Sequence, residues 1–149
     1  MAKWFEPSDE KTFSNKTQCY LDQASNFKFD EVNMTLNGER CLGDIIADNG
    51  GLKASYRAYK ALLAKKGENK TLPGLKLNYD QLFFLAFGQN WCNRFPPAVL
   101  KEYLQSDQAD HPPGSFRIIG TLQNSEEFAK AYNCPRGSKM NPVKKCSLW

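Results

Sequence analysis

Residues 78–92, NYDQLFFLAFGQNWC, limit this chain's options most severely. Asn78 stands three places before Gln81, the spacing of a capping box, so a helix opens here. The run from Leu82 to Phe87 then carries no polar residue. A helix that is apolar on most sides needs cover on most sides. The segment is therefore expected to be central, with the rest of the chain wrapped around it.

The wrapping elements are themselves mostly helical by pattern. Residues 8–24 place Phe13, Thr17, Tyr20 and Ala24 on one face, with Ser8 as N-cap and Asp9 and Glu10 in the first turn. Residues 42–66 repeat apolar side chains at helical spacing and end in Lys65 and Lys66 before Gly67. Gly50 and Gly51 interrupt that pattern, at about 1 kcal/mol each relative to alanine, and mark a bend or a close backbone approach. Pro96-Pro97 opens a short helix to about Leu104, and Asn124 with Glu127 opens a last one to about Tyr132. Residues 26–41 are polar and turn-rich, 105–115 form a loop, SFRII is expected to be a short strand, and 134–149 form an irregular tail. The fold class is mainly α.

At 149 residues and 41% hydrophobic, the chain has the means for one cored domain. The net charge of +4 comes from scattered lysines, a solvated surface rather than a nucleic-acid face. No apolar run reaches the roughly 18 residues of a membrane span. Cys19, Cys41, Cys92, Cys134 and Cys146 form no CxxC pair, so a cysteine zinc site is not expected. Together with sequons at Asn15, Asn33 and Asn69, they favour an oxidising, extracytoplasmic setting. The opening MAKWFEPSDE is polar and is no signal peptide, so an upstream portion is expected, and the odd cysteine count agrees.

Four residues carry possible chemistry. Asp44 and Asp48 are four apart in LGDIIADNGG and share a helix face. They are either wet acids near a helix start or members of a metal or active site. His111, the only histidine, lies in DHPPGSFR six residues before Arg117. It is either a surface residue or, with the arginine, a donor to a developing oxyanion. One imidazole in total excludes a site built on two or three from this chain alone. Trp91 is a core aromatic or the wall of an apolar pocket.

In order along the chain, LGDIIADNGGLKASYRAY, LPGLKLNYDQLFFLAFGQNWC, HPPGSFRIIGTLQNSEEFAKAYNCP and MNPVKKCSLW resemble the C-terminal part of neprilysin-family (M13-type) zinc metalloendopeptidases. The resemblance runs over nearly the whole chain. It implies the C-terminal portion of a thermolysin-like (gluzincin) catalytic domain, incomplete on its own and spanning 1–149. In the family pattern Gly-Glu-Asn-Ile-Ala-Asp, the glutamate is the third zinc ligand and the aspartate orients a zinc-bound histidine. Asp44 occupies the ligand position and Asp48 the orienting one. Here aspartate replaces glutamate and Ile45 replaces asparagine. The lost methylene is a setback of the same order as a zinc–oxygen bond of about 2.0–2.2 Å.

By the same resemblance, His111 donates to the tetrahedral intermediate, Arg117 binds a substrate carbonyl near Asp48, and Trp91 walls the pocket for the apolar side chain after the scissile bond. Asn90 replaces the usual valine of that pocket. Cys19 and Cys146 take positions that pair in the family, a bond on the order of 4–5 kcal/mol by loop entropy. Cys92 and Cys134 correspond to cysteines whose partners lie near the start of the ectodomain, and Cys41 to a common threonine, left free. The HExxH helix, with two zinc-ligand histidines and the general base, has no counterpart here. Losing a base alone typically costs about 10²–10⁴-fold. The implied function is part of an extracellular or cell-surface endopeptidase. It needs one zinc ion and an upstream partner segment, cuts peptides before apolar residues, and is inactive as this chain alone. The rival reading is a non-catalytic neprilysin-like binding module or decoy.

Overall fold

The computed structural model describes residues 5–66, 72–107 and 109–148. The Gly67 helix stop, the Asn69 sequon and Trp149 lie outside them. Among the described residues the order is α1 (Pro7–Ser25), β1 (Lys28–Phe29), β2 (Met34–Thr35), α2 (Gly38–Lys66), α3 (Tyr79–Asn90), α4 (Pro97–Gln105), α5 (Gly114–Leu122) and α6 (Glu126–Ala131). The two short strands pair antiparallel, Lys28 opposite Thr35 and Phe29 opposite Met34. This small hairpin occupies part of the stretch expected to be turns. It seals one end of the helices, with Phe29 and Leu36 buried. No described helix is long and apolar enough to cross a membrane.

The 29-residue α2 is the spine. Its buried Cys41 and Ile45 join Tyr20 and Ala24 of α1, Leu100 of α4 and Phe116 of α5 in the larger core. Further along, Leu52 meets Phe84 of α3 and Leu122 of α5, among the rings of Tyr56, Phe83 and Phe128. The helix runs straight through Gly50 and Gly51, contrary to the expected interruption. A Cβ on Gly51 would meet nothing within 4 Å, so no close neighbour explains it. The apolar stripe resumes at Leu52, and tertiary burial outweighs the propensity cost.

Three further expectations change. The N-cap of α1 is Glu6, with Pro7 as the first helical residue, rather than Ser8; a proline there gives up an N–H that has no helical partner. SFRII lies in α5, not in a strand. The paired isoleucines gave a β signal, but the buried positions Phe116, Gly120 and Thr121 recur at helical spacing. Gly120 is required because the Phe116 ring crosses it, and a Cβ would come within 2.9 Å of that ring. In α6 the cap is Ser125, whose hydroxyl accepts from the Phe128 N–H, one residue after the expected Asn124. The capping box of α3 stands as read, with Asn78 and Gln81 bonded reciprocally.

The helix expected to be central is peripheral. Of α3's residues only Phe84 is buried, and Leu85 is 40% exposed. Its contacts run to α2, α5 and α6 along one stripe, and the described residues supply no cover for the other side. The irregular tail is fixed instead by point contacts. Cys146 is disulfide-bonded to Cys19 of α1, and Lys16 donates to the Leu148 carbonyl at 2.8 Å. The Cys146 N–H donates to the Asn124 side chain at 3.0 Å.

That disulfide closes a span of 127 residues. By loop entropy, replacing both cysteines with serine should cost about 5 kcal/mol, measured as a lowered urea midpoint against the oxidised chain. An unchanged midpoint would show that the tail contributes nothing to the folded state.

Candidate active site

Four charged side chains from three elements meet at one place. The second and third turns of α2 carry Asp44 and Asp48, the loop ahead of α5 carries His111, and the first turn of α5 carries Arg117. Arg117 donates from Nε and Nη2 to the two oxygens of Asp48 at 2.7 and 2.6 Å, a fork-to-fork pair. Its Nη1 lies 3.7 Å from Asp44. The same guanidinium stacks over the Trp91 ring, 3.6 Å from the centroid. His111 Nδ1 is 2.5 Å from Asp44 Oδ2.

Local sequence explains this placement. Asp44 and Asp48 sit one turn apart beside buried Cys41 and Ile45, so the core fixes the face they occupy. Pro112 and Pro113 end the loop and start α5. Gly114 lets the start of α5 press against the end of α3. A Cβ there would collide with the Trp91 carbonyl and the Asn93 side chain. That contact sets Arg117 over Trp91, which caps α3. Asn90, one residue earlier, is exposed and takes part in none of these contacts.

The electrostatics follow from the geometry. The hydrogen bond to Asp44, reinforced by the charge of Asp110, raises the His111 pKa above its ordinary 6.5. The bond to Asp48 raises that of Arg117, so the guanidinium stays charged. Burial pushes the Cys41 thiol up to about 11, with Asp44 and Asp110 adding to the effect. It stays protonated and inert.

The pattern-based reading did not single out the residues that hold the His111 loop. Tyr103 of α4 donates its hydroxyl to the His111 carbonyl at 2.7 Å. Arg40 binds the Ser106 carbonyl at 2.7 Å and Asp107 at 2.6 Å. The Cys41 thiol reaches the Ala109 carbonyl at 3.5 Å. Arg40, Cys41 and Asp44 occupy about one turn of α2 and take successive points along the loop. No sequence signal marks these contacts, because each depends on a backbone carbonyl whose position only the fold decides.

Among the described residues no three His, Cys, Asp or Glu side chains are grouped so as to hold a metal ion. The donors present do not make up a metal centre. Asp44 offers one carboxylate, whose Oδ2 already faces both His111 and Arg117. What the structure does assemble is a guanidinium, an imidazole and an aromatic ring side by side on one shelf.

Two outcomes are expected. Asp48→Ala leaves the largely buried Arg117 without its partner and should cost on the order of 3 kcal/mol, read by urea unfolding; a change within a few tenths would mean the pair is solvated. Asp44→Asn should lower the His111 midpoint toward 6.5, read from the only imidazole resonance in an NMR pH titration. Because the folded-state pKa is raised, the stability this contact contributes is full below about 6.5 and fades as pH climbs through the folded value. The variant should lose that dependence.

The chain is matched by the model of peptidase family M13 over residues 1–148. It is 47% identical over 150 residues to neprilysin of Homo sapiens, covering 100% of this chain and 20% of that protein. It therefore spans about a fifth of the length of such relatives. Among solved structures, the Haemonchus galactose-containing glycoprotein complex superposes with a TM-score of 0.86 at 34% identity, over 95% of this chain and 24% of that one. The Mycobacterium tuberculosis zinc metalloprotease ZMP1 shares the fold, with a TM-score of 0.82 at 21% identity over 99% of this chain and 23% of that one. This chain belongs to peptidase family M13.

Proposed function

We propose that these residues are the C-terminal, substrate-gripping segment of a neprilysin-like zinc metalloendopeptidase. One observation carries the reading: Asp44, Asp48, His111, Arg117 and Trp91 converge on one shelf. In this role Arg117, held rigid by Asp48 and Trp91, donates to a backbone carbonyl of the bound peptide. His111 lends a proton-bearing nitrogen where negative charge grows on the attacked carbonyl, the arrangement that favours a transition state over its ground state. Trp91 walls the pocket for an apolar side chain, so cleavage falls before apolar residues, and Asn90 replaces the valine usual beside it.

The cofactor of the whole enzyme is one zinc ion, held chiefly by residues that this chain does not contain. Asp44 is the single ligand position within it, and Asp48 orients a histidine supplied from elsewhere. The Cys19–Cys146 bond and the family likeness support an extracellular or cell-surface location, with peptides as substrates. Free Cys92, exposed, and Cys134, half-buried, stand where bonds to another part of the protein would form.

The test is replacement of the matching fifth of human neprilysin by residues 1–149. The chimera should hydrolyse peptides before apolar residues. In it, His111→Ala should lower kcat by about 10²–10³-fold, Arg117→Ala should raise KM, and Asp44→Glu should tighten zinc binding. A chimera that binds zinc and peptide but cleaves nothing would favour the binding-module reading. The purified chain should retain no stoichiometric zinc after dialysis; chelator-sensitive peptide hydrolysis by it alone would overturn the assignment of the missing ligands.

A further inference from the structure

We propose that Asn33 is an N-glycosylation site and that folding closes the second described sequon, at Asn15. Asn33 sits at the tip of the β1–β2 hairpin with φ of 52°, a left-handed conformation that asparagine tolerates well. The turn is closed by Val32 N–H to the Phe29 carbonyl at 3.2 Å and Asn33 N–H to the Asp30 carbonyl at 3.4 Å. The chain then runs extended through Met34 and Thr35. Asn33 and Thr35 are both exposed, while Met34 between them is half-buried. The amide and the hydroxyl of the sequon are thus both open to an external partner on the folded protein.

The sequon at Asn15 is arranged oppositely. It lies inside α1, where residues two apart point about 200° away from each other. Asn15 is exposed, but Thr17 is 4% exposed and gives its hydroxyl to the Ser14 carbonyl at 3.0 Å. Lys16 between them is bound to the Leu148 carbonyl of the tail. Two residues on, Cys19 ties α1 to that tail. Once this corner forms, no partner can read amide and hydroxyl together.

The co-substrate is an oligosaccharide joined through its anomeric carbon to a lipid pyrophosphate. The Asn33 amide nitrogen forms a bond to that carbon, the carbon–oxygen bond to pyrophosphate breaks, and the lipid pyrophosphate departs. One amide proton is released to balance its charge. The proposal is independent of the peptidase reading, since its readout is a sugar and not a cleavage.

The experiment places the chain behind a cleavable secretory leader in translating microsomes, with an unrelated sequon-bearing glycoprotein as a control. Removal of glycans by an amidase in ¹⁸O water converts each occupied asparagine to labelled aspartate, read site by site in peptide maps. In the disulfide-bonded chain, label is expected at Asn33 and several-fold less at Asn15. Thr35→Ala, which leaves the turn residue in place, should abolish label at Asn33. Added reductant should raise label at Asn15 and leave Asn33 unchanged. An unlabelled Asn33 beside a labelled control overturns the proposal, as does equal label at the two sites in the disulfide-bonded chain.

Discussion

The bidentate bond between Arg117 and Asp48 is the contact on which the rest of the site is built. It joins α2 to α5 and uses both carboxylate oxygens and two guanidinium nitrogens, at 2.6 and 2.7 Å. A planar fork of this kind fixes direction as well as distance. With one face of the guanidinium laid on Trp91, the end of α3 is brought into register with the same two helices. The remaining nitrogen approaches Asp44, whose carboxylate in turn meets His111. One rigid ion pair thus arranges an aromatic wall, a second acid and an imidazole that are far apart in sequence.

Much of the fold was legible because the chain punctuates its helices. The Asn78–Gln81 capping box, the Pro96-Pro97 start and the basic end of α2 correspond to helix termini in the structure. The candidate site was legible for a different reason. Spacing alone left Asp44, Asp48, His111 and Arg117 open between surface and site; the likeness of their motifs to a known family singled them out, and the structure brings all four together. What escaped notice were effects that need three dimensions. Ile118 and Ile119 favour a strand in isolation, yet Phe116 over Gly120 commits the segment to a helix. The apolar run in α3 reads as a central rod, but the described residues bury it only through Phe84. The carbonyl contacts from Tyr103, Arg40 and Cys41 leave no trace in composition at all.

The short acid at position 44 gives the site its particular character. With one methylene fewer than glutamate, its carboxylate stays close to α2 and is caught between His111 and Arg117. Any ligand that competes for Asp44 Oδ2 must displace the hydrogen bond to His111 before it forms its own. The acid and the imidazole hold each other in reserve, and whichever is drawn into other work frees its neighbour. Exposed Leu85, Val99 and Leu62 show that the two cores do not exhaust the chain's apolar surface, as suits a segment about a fifth the length of its relatives.

Because Cys19 is bonded to Cys146, everything between them is a covalent ring, and every residue of the site lies on it. A single proteolytic nick within that ring, for example between α2 and α3, opens the circle without dividing the molecule. The two pieces stay attached, and only a reductant lets them part. Damage of this sort would be invisible on a gel run without thiol, and a cut chain would pass for a whole one.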